Sequence, residues 1–294
     1  MDRRRYLQAL GVGSALSVAG CLGDSGSPDT PVAGQSLTLA AATTVHDSGL
    51  LADLSAGFED AFGSSVAALT RGTGAALRTA SDGDCDAVLV HARPLEDEFL
   101  RAGHGVNRRA VMVNDFLVAG PPGDPAGAAG SDPLAAFRAI ADAGAPFVSR
   151  GDRSGTHVRE RRLWREAGVE PAGDWYSETG QGMGRTLLTA AETDAYTLVD
   201  RGTFLNTETG LVAHVDRGVD DPPELLRNEY AVIPVNPARH DVAYVLAMAY
   251  VGYLTSLGQD RIEAFRVDGE RAFRPLARTR NPEFEQYAPS DWAP

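Results

Sequence analysis

Ser149-Arg150-Gly151-Asp152-Arg153-Ser154-Gly155-Thr156 is the stretch of this 294-residue chain with the clearest chemistry in it. It follows the apolar run Pro146-Phe147-Val148 and opens a helical pattern that continues to Ala167. The hydroxyls of Ser154 and Thr156 can donate, and so can the free backbone N–H groups of a helix's first turn. Arg150 adds a rigid fork of donors that matches paired oxygens. Such a set suits a tetrahedral oxyanion, which needs donors and tolerates no acceptors. The same residues also fit an ordinary helix cap after a strand, so the elements that position them must decide.

Those elements alternate. Ser36–Ala41 reads as a short buried strand and Thr43–Gly49 as a loop. Leu50, Leu51, Leu54, Phe58, Ala61 and Phe62 then fall on one helical face. Strand, turn and helix recur at Ser65–Leu69, at Arg71-Gly72-Thr73-Gly74 and at Ala75–Ala80. A third buried strand, Ala87–Val90, leads to a helix near Leu95–Ala102. This is an α/β pattern with a mostly parallel sheet, in which ligands collect where strands give way to helices.

Two strand-like runs follow, Arg109–Val113 and Asp115–Ala119, and then the breaker Pro121-Pro122-Gly123-Asp124-Pro125, which marks a domain crossing. A second α/β unit opens at Ser131-Asp132-Pro133, a capped helix start. It contains the Ser149–Thr156 stretch, a Gly180-Gln181-Gly182-Met183-Gly184 approach to another helix, and a strand at Ala195–Val199. A strand at Tyr230–Val235 precedes one strongly amphipathic helix marked by Val242, Val245, Leu246, Ala249, Tyr250, Tyr253, Leu254 and Leu257. Small-residue loops at Thr43-Thr44, at Gly72-Thr73-Gly74 and at Arg150–Thr156 thus open three helices, and they are expected to converge on one cleft between two lobes. A helix start favours an anion by about 0.3–1 kcal/mol when exposed. Hydrogen bonds to a charged group contribute roughly 1.5–3 kcal/mol each.

Catalytic readings find less support. His46-Asp47-Ser48 holds the residue types of a hydrolase triad, but triads are assembled from distant segments. Ser154 lies outside any Gly-x-Ser-x-Gly elbow. The six histidines show no metal-ligand spacing, and the glycine loop is neither a dinucleotide fingerprint nor a P-loop. No catalytic residue, cofactor or bound metal is expected. Cys85 sits among Asp82, Asp84 and Asp86, which suits structural filler rather than a reactive thiol. Trp175-Tyr176 reads as lobe core.

Forty acidic residues face 27 basic ones, for a net charge of −13, and every basic residue is Arg. That balance suggests a salt-adapted, halophilic setting, and the lack of a basic stripe argues against nucleic acid. At molar salt the Debye length is only about 3 Å, so the net charge hardly repels an anion from a local site.

Residues 1–21 read as an export signal. Arg3-Arg4-Arg5 ahead of Tyr6-Leu7-Gln8 resembles a twin-arginine signal, and the apolar stretch Ala9–Ala19 is too short to span a bilayer. Val18-Ala19-Gly20-Cys21 resembles a lipoprotein cleavage box, so Cys21 is the expected lipid attachment site. Residues 22–35, rich in Gly, Ser, Asp and Pro, form a tether.

From Leu37 to Leu257 the chain resembles the tungstate-binding proteins of tungstate ABC importers. The stretches that carry the resemblance include Asp47-Ser48-Gly49-Leu50-Leu51, Gly72-Thr73-Gly74-Ala75-Ala76, Val90-His91-Ala92 and Gly105-Val106-Asn107-Arg108-Arg109. Further ones are Val113-Asn114-Asp115-Phe116, Pro146–Thr156, Gly173-Asp174-Trp175-Tyr176 and Ala195–Thr203. The resemblance implies a two-lobe type II periplasmic-binding-protein fold with two hinge crossings, each lobe a mostly parallel sheet flanked by helices. Lobe one would comprise residues 36–120 and 229–294, and lobe two residues 121–228. Thr43, Thr44 and Thr73 would meet the ligand from lobe one, and Arg150, Ser154, Gly155 and Thr156 from lobe two. The implied role is a monomeric receptor, lipid-anchored on the outer face of the membrane. It would hand tungstate or molybdate to a permease and, through it, to ATPase subunits.

Where the family reads Thr-Thr-Thr-Ser-Thr, this chain reads Ala41-Ala42-Thr43-Thr44-Val45, with fewer hydroxyls. The Arg-x-Asp-x-Ser-Gly-Thr loop is also similar to that of phosphate-binding proteins. A phosphate or molybdate receptor is therefore the alternative, favoured for phosphate if Asp152 faces the ligand. A membrane-anchored hydrolase using Ser154 or Ser48 is the alternative from another class.

Overall fold

A computed structural model describes residues 31–130, 132–278, 287 and 289. The signal-like stretch 1–21 with Cys21, most of the tether and Ser131 lie outside the described residues. In chain order the first elements are β1 (Ser36–Ala42), α1 (Thr43–Asp47), α2 (Leu50–Phe62), β2 (Ser65–Arg71), α3 (Thr73–Asp82), β3 (Ala87–Val90), α4 (Arg93–Arg101) and β4 (Arg109–Gly120). The middle of the chain supplies α5 (Pro133–Ala143), β5 (Phe147–Ser149), α6 (Gly155–Ala167), β6 (Tyr176–Glu178), α7 (Met183–Glu192), β7 (Thr197–Asp200), α8 (Arg201–Asn206) and β8 (Val212–Val215). The last elements are β9 (Arg227–Pro234), α9 (Tyr244–Leu254), α10 (Leu257–Ala264) and β10 (Arg274–Pro275).

The β2-β1-β3 pairs are parallel, as alternation with helices requires. Antiparallel pairing enters where the halves of the fold are joined. β9 runs against β3, and β4 runs against β9 over Arg109–Asp115. Over Phe116–Gly120, β4 leaves that sheet and pairs with β7 and β8. The two strand-like runs expected from sequence are therefore one 12-residue strand. The passage from one half to the other falls mid-strand, within the stretch 36–120.

Side-chain alternation then puts helices on both faces of each sheet. Leu37, Leu39 and Ala41 of β1 face a core with α2 and α9, whereas Ala40 faces α3 and α4. In the second half Phe116 and Val118 pack with α5 and α6, while Leu117 and Ala119 pack with α7. Trp175 and Tyr176 join the aromatic cluster around Trp164, as expected of core residues. Cys85 is buried, and burial, with Asp86 and Asp84 adding, pushes its thiol up to about 12.

Two further expectations need correction. Thr43–Gly49 is not all loop, because Thr43–Asp47 forms the short helix α1. The β-branched Thr43, Thr44 and Val45 are modest helix formers, but tertiary contacts hold the turn, with Thr44 and Val45 fully buried. The expected single amphipathic helix after residue 242 is two helices, broken at Thr255-Ser256. The first of them carries no charged side chain and is apolar nearly all round. Its burial is one-sided all the same, with Leu246, Tyr250 and Leu254 inside and Val245 71 % exposed.

Candidate functional site

The site begins at the end of β5. Three buried residues, Phe147–Ser149, deliver the chain to Arg150. A reversal through Gly151 (φ +63°) and Arg153 (φ +58°) then aims it into α6. Glycine is required at 151 for a second reason as well: a Cβ there would lie 2.5 Å from the side chain of Glu178. Ser154 caps α6, its Oγ accepting from His157 N at 3.3 Å. Thr179 N donates to Ser149 O and Gly180 N to Arg150 O, which ties the glycine-rich approach to α7 against this loop.

Arg150 is 1 % exposed and fixed at both ends of its guanidinium. Nη1 donates to Thr43 Oγ1 at 3.0 Å, and Nη2 donates to Asp152 Oδ2 at 2.6 Å. Asp152 Oδ1 accepts from Ser154 N at 3.0 Å. Burial pushes the Asp152 carboxyl up, but the Arg150 charge and the hydrogen bonds from Ser154 and Arg150 outweigh it and hold it below its ordinary value. Both Asp152 oxygens are therefore already in use.

The opposite wall rests on a relay of buried polar groups that sequence reasoning did not find. Asn228 Oδ1 can only accept, so His91 Nδ1 donates to it at 2.7 Å. Burial lowers the His91 pKa to about 3, against the Asn228 hydrogen bond, so the ring is neutral and its Nε2 accepts. Thr44 Oγ1 donates to that nitrogen at 3.2 Å and accepts from Tyr230 Oη at 2.6 Å. His91 also stacks on Tyr230, with ring centroids 4.7 Å apart. The Thr44 hydroxyl proton is thus turned toward His91. The polar start of β9 was the available signal, since Asn228 and Tyr230 alternate with the half-buried Arg227 and Glu229 and so share the buried face.

The three sequence-expected loops do come together. Thr43 meets Arg150, and the backbone of Gly72, just before Thr73, lies against Asp152 and Ser154. Gly155 abuts His91 so closely that a Cβ would sit 2.5 Å from His91 Cε1 and 2.8 Å from His91 O. On the far side of the seam, Gly184 N donates to Asp47 Oδ2 at 3.4 Å and Asn206 Nδ2 donates to Asp47 O at 2.7 Å. The halves are closed on one another.

At this seam Thr73 Oγ1, Thr156 Oγ1 and Arg150 Nε are buried and without a hydrogen-bond partner among the described residues. Buried donors are almost always satisfied. Three orphans, one on the second loop and two on the third, make a set of donors that an acceptor-rich ligand would complete. Among the described residues, neither serine of the hydrolase alternative bonds a histidine ring through its hydroxyl: Ser48 Oγ donates to Val45 O, and Ser154 Oγ accepts from His157 N as the cap of α6. His46 is exposed beside Asp47. Among the described residues no His, Cys, Asp and Glu group could hold a metal ion.

Behind the loop lies a fully buried carboxylate. Glu160 accepts from Ser149 Oγ at 2.7 Å, Tyr176 Oη at 2.8 Å and Trp164 Nε1 at 3.2 Å. Burial pushes its carboxyl up to about 7 against those three hydrogen bonds. An acid whose folded value is raised stabilises the fold most below its ordinary value of 4.5. That stability falls as pH rises to about 7 and is level above it, by about 3 kcal/mol at most. Glu160→Gln is therefore expected to flatten this part of the slope, measured as the difference from wild type in urea midpoints at pH 5 and pH 8.

These features, two sheets joined by a shared strand and closed over loops that open helices, define a two-lobed solute-binding protein. The chain belongs to the PBP superfamily, whose domain model matches residues 25–257. It is 49 % identical to a Haloferax volcanii protein that carries a provisional name as an ABC transporter anion-binding protein, over 99 % of this chain and 91 % of that one. It is 40 % identical to the tungstate-binding protein TupA of Peptoclostridium acidaminophilum, over 77 % of this chain and 80 % of that one. Among solved structures, the tungstate ABC transporter protein of Geobacter sulfurreducens superposes with a TM-score of 0.73 at 44 % identity. That match covers 79 % of this chain and all of the other.

Proposed function

We propose that this protein captures tungstate, or the nearly isosteric molybdate dianion, between its lobes and delivers it to an ABC import permease. The observation that carries the reading is the set of buried, unpartnered donors Thr73 Oγ1, Thr156 Oγ1 and Arg150 Nε. Thr43, Thr44 and Thr73 form one wall of the site. Arg150, Ser154, Gly155 and Thr156 form the other. The chain passes between the lobes within β4, after Asp115, and at the start of β9, at Arg227, which makes these paired strands a hinge, and ligand holds the hinge closed. The names of the relatives support the choice of anion.

Solute-binding proteins of ABC importers act outside the cytoplasmic membrane. No helix among the described residues is long and apolar enough to cross one. The anchor we propose is a lipid on Cys21 following twin-arginine export, with residues 22–35 as tether and the protein acting as a monomer.

A thermal-shift panel tests the reading. At a ligand concentration one hundred times Kd, binding stabilises by about 2.7 kcal/mol. That corresponds to a rise in Tm of roughly 5–10 °C for a domain of this size. Tungstate and molybdate are expected to give it, and sulfate and phosphate at the same concentration are not. Turnover of an ester substrate with no oxyanion shift would establish the hydrolase instead.

A further inference from the structure

Asp200 ends β7 and caps α8. It is fully buried, and its Oδ1 accepts from Thr203 N at 2.9 Å. Its Oδ2 has no partner among the described residues, and neither has Thr203 Oγ1. Three other elements bring charged or titratable groups within electrostatic reach of this carboxyl: Asp47 from α1, Arg150 from the β5–α6 loop and Tyr230 from β9. On its own helix, Arg201 is turned away to Asp115 and Asp216. A Cβ on Gly202 of the same turn would lie 2.7 Å from Ser48 Cβ behind α1. Asp200 also pairs with Phe116, whose ring centroid is 6.4 Å from that of His91, so Asp200 lies beside the seam.

Charge balance sets a constraint there. Arg150 is the cation this carboxyl senses, and it is already paired with Asp152. An ionised Asp200, with Asp47 beside it and a dianion at Arg150, would crowd like charges in a water-poor space. An orphaned carboxylate oxygen facing a ligand that offers only acceptors is costly on both sides. A proton between the two turns that repulsion into a hydrogen bond. Tungstate carries no proton near neutral pH, so the protein must hold it.

We propose that Asp200 is a further ligand-binding residue of this site, whose carboxyl is protonated in the complex and donates through Oδ2 to the bound oxyanion. The proposal rests on the oxyanion reading above and adds a proton to it: capture of one tungstate near neutral pH takes up one proton from solution. The environment of the ligand-free carboxyl agrees. Burial pushes it up to about 7, with Asp47 adding to the effect and the Thr203 N–H and Arg150 opposing it.

The test is titration calorimetry of tungstate into the full chain in buffers of different ionisation enthalpy. Uptake should be close to one proton per tungstate at pH 8 and only about a tenth of one at pH 6, because below about pH 7 the proton is already in place. The affinity should be flat from pH 5 to 6 and fall about tenfold per pH unit above 7. Asp200→Asn keeps both a capping oxygen and a donor. It is expected to bind tungstate with no proton uptake and no slope above pH 7. Binding without proton uptake in the wild type overturns the proposal alone, as does an unchanged slope in D200N. Absence of tungstate binding at every pH overturns the oxyanion reading itself, and the proposal with it.

Discussion

Arg150→Ala is expected to weaken tungstate binding by about 100-fold or more. The side chain supplies the fixed positive charge of the site and one of its three orphan donors, Nε. Its other two nitrogens hold Thr43 and Asp152 in place from opposite lobes. Losing the charge-assisted hydrogen bond of Nε to a dianion costs about 1.5–3 kcal/mol, or roughly 10- to 150-fold in Kd. The true loss should lie at the upper end, because Asp152 would then face the ligand unpaired. The same loss of pairing should also lower the stability of the ligand-free protein, since breaking a buried ion pair is strongly destabilising. Arg150→Ala combined with Asp152→Asn separates the two effects. The double variant should regain most of the urea midpoint and none of the affinity. Arg150→Lys retains the charge but not the fork and should fall between. Calorimetry showing wild-type tungstate affinity in Arg150→Ala would remove this site from consideration.

Much of this site was legible in the sequence because its donors sit where strands hand over to helices. Arg150–Thr156 and Gly72–Gly74 announce themselves by small residues and hydroxyls between apolar runs, and the structure brings those loops together. Alternation of strand and helix gave the parallel core of the first half for the same reason. Contacts made at long range were not legible. His91, Asn228 and Tyr230 are separated by 137 or more positions from one end of their network to the other. Nothing local distinguishes His91 from any buried histidine. Thr43–Asp47 reads as loop because its β-branched residues are modest helix formers, yet its contacts with Arg150, His91 and Tyr230 close it into a helix. β4 reads as two strands, Arg109–Val113 and Asp115–Ala119, because the polar pair Asn114-Asp115 falls where one run ends and the next begins. Both residues are fully buried, and Asp115 is neutralised by Arg201. Asp200 follows the same logic: as a strand-ending residue before Arg-Gly-Thr it looks like a cap, and only its orphaned oxygen marks it as more.

Gly155→Ala should act in opposite directions on the two states of the protein, which makes it the most diagnostic change to closure. Gly155 is the first residue of α6, where alanine is the better helix former by about 0.5–1 kcal/mol. In the ligand-free, open protein the substitution should therefore leave Tm unchanged or raise it slightly. In the closed form the new methyl would lie 2.5 Å from His91 Cε1, 2.6 Å from Nδ1 and 2.8 Å from the His91 carbonyl oxygen. Carbon atoms in contact sit at about 3.5–4.0 Å, so roughly 1 Å of overlap must be relieved. The ring cannot swing aside without breaking its hydrogen bonds to Asn228 and Thr44 and its stacking on Tyr230. The carbonyl cannot move without dragging the end of β3. The lobes must then stop short of full closure, which takes Thr73 on one side and Thr156 on the other out of joint reach of a small anion. Overpacking of this kind costs about 1–3 kcal/mol, or roughly 5- to 150-fold in tungstate affinity. Small-angle scattering should show the wild type contracting on adding tungstate and Gly155→Ala failing to contract fully. The ligand-induced rise in Tm should shrink even though the ligand-free Tm does not. Wild-type affinity with full contraction would mean that α6 and His91 do not meet when the ligand is bound. Retained closure with weakened binding would instead place the damage at the anion, where the N–H of residue 155 opens the helix.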